Sequence, residues 1–155
     1  MKKEIIVKVG VLVEYRGKLL LIKEISPLDG QYRWNIIKGT YEPGRDVSML
    51  KAAERESMEE AGVSIKSIQF LNVIELEKER KTILQFNFLA KSATDRVRLA
   101  ENRSQKKRNE DIVEARFFDK KEVRKMNWRD FLNQRAYQAT RDWLSREKEP
   151  FRLIF

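Results

Sequence analysis

Three glutamates, Glu56, Glu59 and Glu60, stand at i, i+3 and i+4 in the run Arg55-Glu56-Ser57-Met58-Glu59-Glu60-Ala61-Gly62-Val63. On a helix those positions share a face about one turn apart. Three like charges gathered there repel one another, which costs energy unless something positive sits among them. A hard divalent cation, Mg²⁺ or Mn²⁺, is the natural occupant, because carboxylate oxygens are the ligands such ions prefer. The plainer reading is a solvated face with i,i+4 salt bridges, and the run alone leaves both open. Gly62 suits the end of the helix, since a glycine at C′ takes the left-handed conformation without penalty.

Composition narrows the chemistry. The chain has no histidine and no cysteine. Disulfides, zinc-thiolate sites, a thiol nucleophile, an imidazole base and imidazole metal ligands are therefore excluded. Any hydrolysis must run on carboxylates, lysine, tyrosine or a metal-bound water, which favours the carboxylate–metal reading. The formal charge of +9 suits an anionic partner such as a nucleotide or RNA, and equally a plain soluble surface. At 155 residues the chain reads as one domain over 1–155 that can bury a substantial core. The apolar stretch Ile5 to Val13 is interrupted by Lys8, too short and too charged for a signal peptide or membrane span. A cytoplasmic protein without a membrane partner is expected, as a monomer or homodimer.

The elements that would position the carboxylates follow from patterning. Ile5 to Tyr15 is β-branched and reads as a strand; Arg16-Gly17 turns it into a second strand over Lys18 to Glu24. After the loop Ser26 to Gly30, Trp34 to Ile37 reads as a short strand. Asp46 or Ser48 can cap the helix that runs to about Ala61. Leu50, Ala53, Ser57 and Ala61 form a small-residue stripe on it, with the glutamates to the side. Ile68 to Leu76, Thr82 to Ala90 and Ile112 to Phe118 read as further strands. Asp95 to Asn109, with the basic cluster Lys106-Lys107-Arg108, reads as an exposed excursion. Asp119 to Met126 is a short helix, and an amphipathic C-terminal helix is expected at about 128–147, where Trp128, Phe131, Leu132, Ala136, Ala139 and Trp143 recur at helical spacing. Strands interleaved with a few helices suggest an α/β/α sandwich around a mixed sheet.

The loop Trp34-Asn35-Ile36-Ile37-Lys38-Gly39-Thr40-Tyr41-Glu42-Pro43-Gly44 ahead of the glutamate helix completes a pattern. Together the two resemble the signature of the Nudix (MutT-like) hydrolases, in a variant form. The resemblance implies the same α/β/α fold. It also implies hydrolysis of a phosphoanhydride in a nucleoside diphosphate-linked substrate: a dinucleoside polyphosphate, nucleotide sugar, nucleotide or RNA end. By the resemblance, Glu56, Glu59 and Glu60 match the metal-binding glutamates, and Glu56, Arg55 and Glu59 are the expected catalytic residues. Arg55 matches the arginine that orients loop and helix. Gly39 and Gly62 match the signature glycines. Lys38 stands where a lysine could contact phosphate, or remain an ordinary solvated one. Base recognition is expected on aromatics such as Trp34, Tyr32 or Phe86, each of which is also a plain core candidate.

Three positions and one interval depart from the pattern. Arg45 stands where the family has a glutamate that pairs with the arginine equivalent to Arg55, and the interval from Arg45 to Arg55 is two residues longer than usual. Glu42 or Asp46 could supply the missing charge. Ser57 replaces an aliphatic residue, and Ile37 a common proline. Downstream, Asn109-Glu110-Asp111 resembles an acidic loop whose carboxylate completes metal binding or acts as base. Glu110 and Asp111 are candidates, Glu114 less so, and a solvated acidic turn is the alternative. The rival to an active enzyme is a weakened Nudix domain that binds a nucleotide or RNA.

Overall fold

Alternation along the first strand sets the architecture. β1 (Glu4–Tyr15) sends Val9, Val11 and Val13 into one apolar cluster and Leu12 into another. β2 (Lys18–Ile25) repeats the pattern, with Leu20 and Ile22 on the first face and Leu19 and Leu21 on the second. Side chains alternate across a strand, so a strand apolar at every position must be covered on both faces. The structure, a computed structural model, describes residues 2–145 and 151–154.

The remaining strands are β3 (Tyr32–Asn35), β4 (Ile37–Thr40), β5 (Ile65–Glu77), β6 (Lys81–Ser92), β7 (Ile112–Phe118) and β8 (Phe151–Ile154). They join β1 and β2 in one mixed sheet of order β3-β2-β1-β6-β5-β8, with β4 on β1 and β7 on β2. The long parallel pairing of β1 with β6, from Glu4↔Lys81 to Glu14↔Lys91, is its spine. On the other edge β1 meets β2 only at Glu14 and Tyr15, then parts from it to take β4 along Lys8 to Val11. That fork is where the Lys38-Gly39 strand enters.

Helix α1 (Met49–Ala61) covers the first face through Ala52, Ala53 and Ala61. Helices α3 (Lys120–Lys125) and α4 (Gln134–Ser145) cover the second through Val123, Ala136, Ala139 and Trp143. The result is the expected α/β/α sandwich with a mixed sheet. Among the described residues no helix is long and apolar enough to cross a membrane.

Several local expectations are corrected. The helix expected at about 128–147 is divided: a 3-10 turn at Trp128–Asp130, then Phe131 bridging Trp34, then α4. Asn127 caps the turn, and the Asn133 carboxamide oxygen accepts from Ala136 N at 3.0 Å, so a fresh helix starts there. The part of that expectation beyond Ser145 lies outside the described residues. The strand expected at Trp34 to Ile37 is two, broken at Ile36. The basic excursion contains a short helix, α2 (Asn102–Lys107). Leu50 is 45% exposed, and Ala52 takes the buried place instead. β8, which pairs in parallel with β5, was not anticipated.

Candidate active site

The buried face of α1 carries charge. Its inward residues are Ala52, Ala53, Glu56, Ser57, Glu60 and Ala61, so Glu56 and Glu60 lie within the packing stripe rather than beside it. Ser48 caps the helix, its hydroxyl accepting from Lys51 N at 3.2 Å. Gly62 ends it at φ 64°, with its amide on Met58 O. Ser57 is satisfied internally, donating to Ala53 O at 2.8 Å, which explains how a hydroxyl fits where an aliphatic residue is usual.

β4 lies against that face. A Cβ on Gly39 would overlap the Glu56 carboxylate, so a larger residue here would displace that side chain. One residue earlier, Lys38 is held by two acids. Its Nζ lies 3.0 Å from Glu24 Oε1 and 3.2 Å from Glu60 Oε2, and its backbone N donates to Glu60 Oε1 at 2.7 Å. Asn35 Nδ2 fixes the other Glu24 oxygen at 2.8 Å. Burial opposes the charge on Lys38, but Glu60 and Glu24 outweigh it and hold the ammonium above the ordinary lysine range. Burial raises the Glu60 carboxyl, and Lys38 opposes that rise. Lys38 is thus a half-buried cation paired with two acids at the cleft wall.

Arg55 ties loop to helix. Its Nε and Nη2 meet Asp46 Oδ1 and Oδ2 at 2.8 and 2.9 Å. Its Nη1 donates to Glu56 Oε1 at 2.7 Å and to Glu59 Oε2 at 3.2 Å. Asp46 therefore supplies the charge lost at Arg45, in the two-oxygen geometry guanidinium favours. Arg45 turns instead to Glu59, with Nη2 3.1 Å from Oε1.

Three carboxylates converge: Glu56, Glu59 and Glu110 each offer an oxygen within 4.8 Å of the others. Glu60, expected in the set from its spacing, is bonded to Lys38 in this structure, while Glu110 from the acidic loop stands beside Glu56 and Glu59. Glu110 Oε2 is buried without a hydrogen-bond partner. An orphaned, buried carboxylate oxygen beside two others fits a hard divalent cation. Burial raises the Glu56 carboxyl; Arg55 opposes this, while Glu59 and Glu110 reinforce it. Arg108 braces the cluster, donating from Nε to Glu110 Oε1 at 3.0 Å and from Nη2 to the Glu59 carbonyl at 3.1 Å.

These groups line one cleft of about 760 Å³, with Lys8, Thr40, Glu42, Lys107, Asp111 and Leu132 on its walls. Trp34 does not line it. The ring packs edge-on against Phe118 at 4.7 Å, with Lys23 Nζ 4.9 Å from its centroid. Tyr32 is 55% exposed and Phe86 packs against the first core cluster; neither lines the cleft. Glu114 lies on β7 beside Lys23 at 3.5 Å. Sequence reasoning missed Glu24, Asn35 and the bracing role of Arg108. Glu24 ends an apolar strand, which gave no sign of its partner.

No curated protein matches the chain. Two Nudix hydrolase structures from Nitrosomonas europaea resemble it. One is 20% identical, covering 99% of this chain and 81% of that one at a TM-score of 0.73. The other is 24% identical, covering 96% and 93% at 0.72. A structure described as an ADP compounds hydrolase is 20% identical, covering 90% and 73% at 0.69. At these identities the likeness shows a shared fold. The family model described as NUDIX domain matches residues 5–142, and the chain belongs to that family.

Proposed function

We propose that the chain is a divalent-cation-dependent hydrolase that cleaves a phosphoanhydride in a nucleoside diphosphate-linked substrate. Family membership carries the class, a Nudix-type pyrophosphohydrolase. The single observation supporting metal dependence is the convergence of Glu56, Glu59 and Glu110 on the cleft floor. The resemblance in fold to an ADP compounds hydrolase favours a nucleoside diphosphate moiety.

In this reading Glu56, Glu59 and Glu110 hold Mg²⁺ or Mn²⁺, and Glu60 supports them from behind through Lys38. The ion, when bound, neutralises the diphosphate and makes a water nucleophilic. Lys38 and Gly39 shape the wall against which phosphate lies. Arg55 is a positioning residue that keeps Glu56 and Glu59 aligned with the loop. Arg45 and Arg108 supply positive charge beside the carboxylates, where phosphate oxygens would arrive.

A screen of nucleotide substrates with Mg²⁺ or Mn²⁺, reading phosphate products, tests the proposal. Turnover is expected, and Glu59→Gln should reduce it by orders of magnitude. A second reading, a binding module with little turnover, is favoured by one observation: Arg45 and Arg108 crowd Glu59, at 3.1 and 3.8 Å, and compete with an ion. Under it a nucleotide binds tightly and survives hours with metal present.

A further inference from the structure

One guanidinium in the cleft is held more loosely than its neighbours. Both side-chain oxygens of Glu59 are engaged: Oε1 accepts from Arg45 Nη2 at 3.1 Å, and Oε2 from Arg55 Nη1 at 3.2 Å. Glu59 also belongs to the convergent carboxylates, so a divalent ion seated there needs an oxygen that an arginine now holds. Arg55 is fixed by both oxygens of Asp46 and by Glu56, and its side chain is 19% exposed. Arg108 is tied to Glu110 and to the Glu59 carbonyl. The Arg45 side chain is 50% exposed, and besides Glu59 it approaches only Glu42 among the described acids, at 3.7 Å.

The backbone beneath Arg45 is fixed independently of that contact. Glu42 O accepts from Arg45 N at 3.0 Å and from Asp46 N at 2.8 Å, and Asp46 Oδ2 accepts from Glu42 N at 3.0 Å. The turn therefore stays closed when the guanidinium moves. An ion pair between a half-exposed arginine and a carboxylate is worth little. A divalent cation among three carboxylates brings twice the charge at shorter range, so the Arg45–Glu59 pair is the contact that yields. Arg45 lines the same cleft as Glu56, Glu59 and Glu110, so its guanidinium, once off Glu59, is still at the cleft wall.

We propose that Arg45 is an exchangeable counter-ion. It neutralises Glu59 while the carboxylates hold no divalent ion, leaves that oxygen when the ion binds, and then takes a phosphate oxygen of the substrate. The assignment rests on the hydrolase reading above and adds an order to it: Arg45 grips phosphate once the ion is in place. It also gives the departure at this position a use. A glutamate there would pair with Arg55, a task Asp46 already performs. An arginine instead offsets the repulsion among the metal-free carboxylates and then turns the same charge to the substrate.

The sign of one titration decides the first half of the exchange. Mn²⁺ is titrated by calorimetry into the full chain without nucleotide. Loss of a competitor should make Arg45→Gln bind Mn²⁺ about two- to fivefold more tightly, the worth of an exposed ion pair. Had Arg45 instead held Glu59 in place for the ion, the variant would bind it more weakly. Weaker or equal binding therefore overturns the exchange. The second half uses methylenediphosphonate, a diphosphate that cannot be hydrolysed, with Mn²⁺ saturating in cell and syringe alike. Arg45→Gln should bind it about tenfold more weakly, the loss expected for a hydrogen bond between charged groups, and in turnover should raise KM more than it lowers kcat. Equal binding overturns the transfer to phosphate. Arg45→Lys, which keeps the charge, should lie between wild type and Arg45→Gln in both titrations, and it decides if the glutamine variant does not fold. Neither titration needs turnover. If the wild type binds Mn²⁺ but hydrolyses nothing, the hydrolase reading fails, and the titrations still judge Arg45. If neither wild type nor Arg45→Gln binds Mn²⁺, the metal site itself falls and the exchange with it.

Discussion

Asp46 replaces, from a different position and a longer loop, the acid that the family places after Gly44. Its side chain is nearly buried and both oxygens meet Arg55. Asp46→Asn keeps the shape and removes the charge. It should cost about 1.5–3 kcal/mol, the worth of hydrogen bonds to charged groups, read as a shift in urea midpoint, and should lower kcat/KM because Arg55 loses its anchor. The hydrogen bonds from Arg55 hold the Asp46 carboxyl below the ordinary aspartate value of 3.8. Its folded-state affinity for protons is therefore the weaker one. The stabilisation is complete above that ordinary value and disappears as acid takes the pH down through the lowered one. The gap between wild type and Asp46→Asn should accordingly be widest near neutrality and close in acid. Arg45→Glu should give no gain in kcat/KM, because the charge it restores is already present; a clear rise would show that the Asp46–Arg55 pair is insufficient.

At the scale of elements, the site depends on how closely β4 approaches α1. Gly39→Ala would drive a methyl into the Glu56 carboxylate. Affinity for Mn²⁺ should fall by about 10–100-fold, as for other residues that orient metal ligands, and calorimetric titration would measure it. Unchanged affinity would remove Glu56 from the ligand set. The segment around α2 divides the basic cluster that reads as uniform in sequence. Gln105 is buried and ties the segment to β7, accepting from Ile112 N at 2.7 Å and donating to Ile112 O at 3.1 Å. Arg108 then reaches Glu59 and Glu110, while Lys107 faces the cleft. Lys106→Ser with Lys107→Ser should leave the melting temperature nearly unchanged and flatten the salt dependence of polyanion binding. Arg108→Ser should lower the melting temperature, because it removes the brace between α1 and the acidic loop. Equal thermal effects from both variants would put the cluster back into one class. The long strands were legible because their apolar runs are continuous. The α2 turn and β8 were not, since one depends on a glutamine's tertiary contacts and the other is four residues whose partner lies on distant β5.

For the whole molecule, the spacing of the glutamates pointed to a metal centre but could not give its membership. Spacing along a helix describes one element, whereas the convergent cluster also takes in Glu110 from the loop before β7. Glu60 fills the helical pattern yet faces Lys38 and Glu24 across the fork of the sheet. An ion that binds only the folded chain stabilises it by mass action, about 2.7 kcal/mol at a hundred times its Kd. For a domain of this size that corresponds to a rise of about 5–10 °C in melting temperature, reversed by chelator. Glu59→Gln and Glu110→Gln should each shrink that rise. Glu60→Gln should behave differently: it removes the buried charge that pairs with Lys38, so the metal-free protein should melt lower while the increment on adding Mn²⁺ largely persists. The paired scans, with and without Mn²⁺, therefore separate a ligand from a support. If Glu60→Gln abolished the increment and Glu110→Gln preserved it, the set Glu56, Glu59 and Glu60 would be the metal site, and the convergence on Glu110 would be only an acidic turn braced by Arg108.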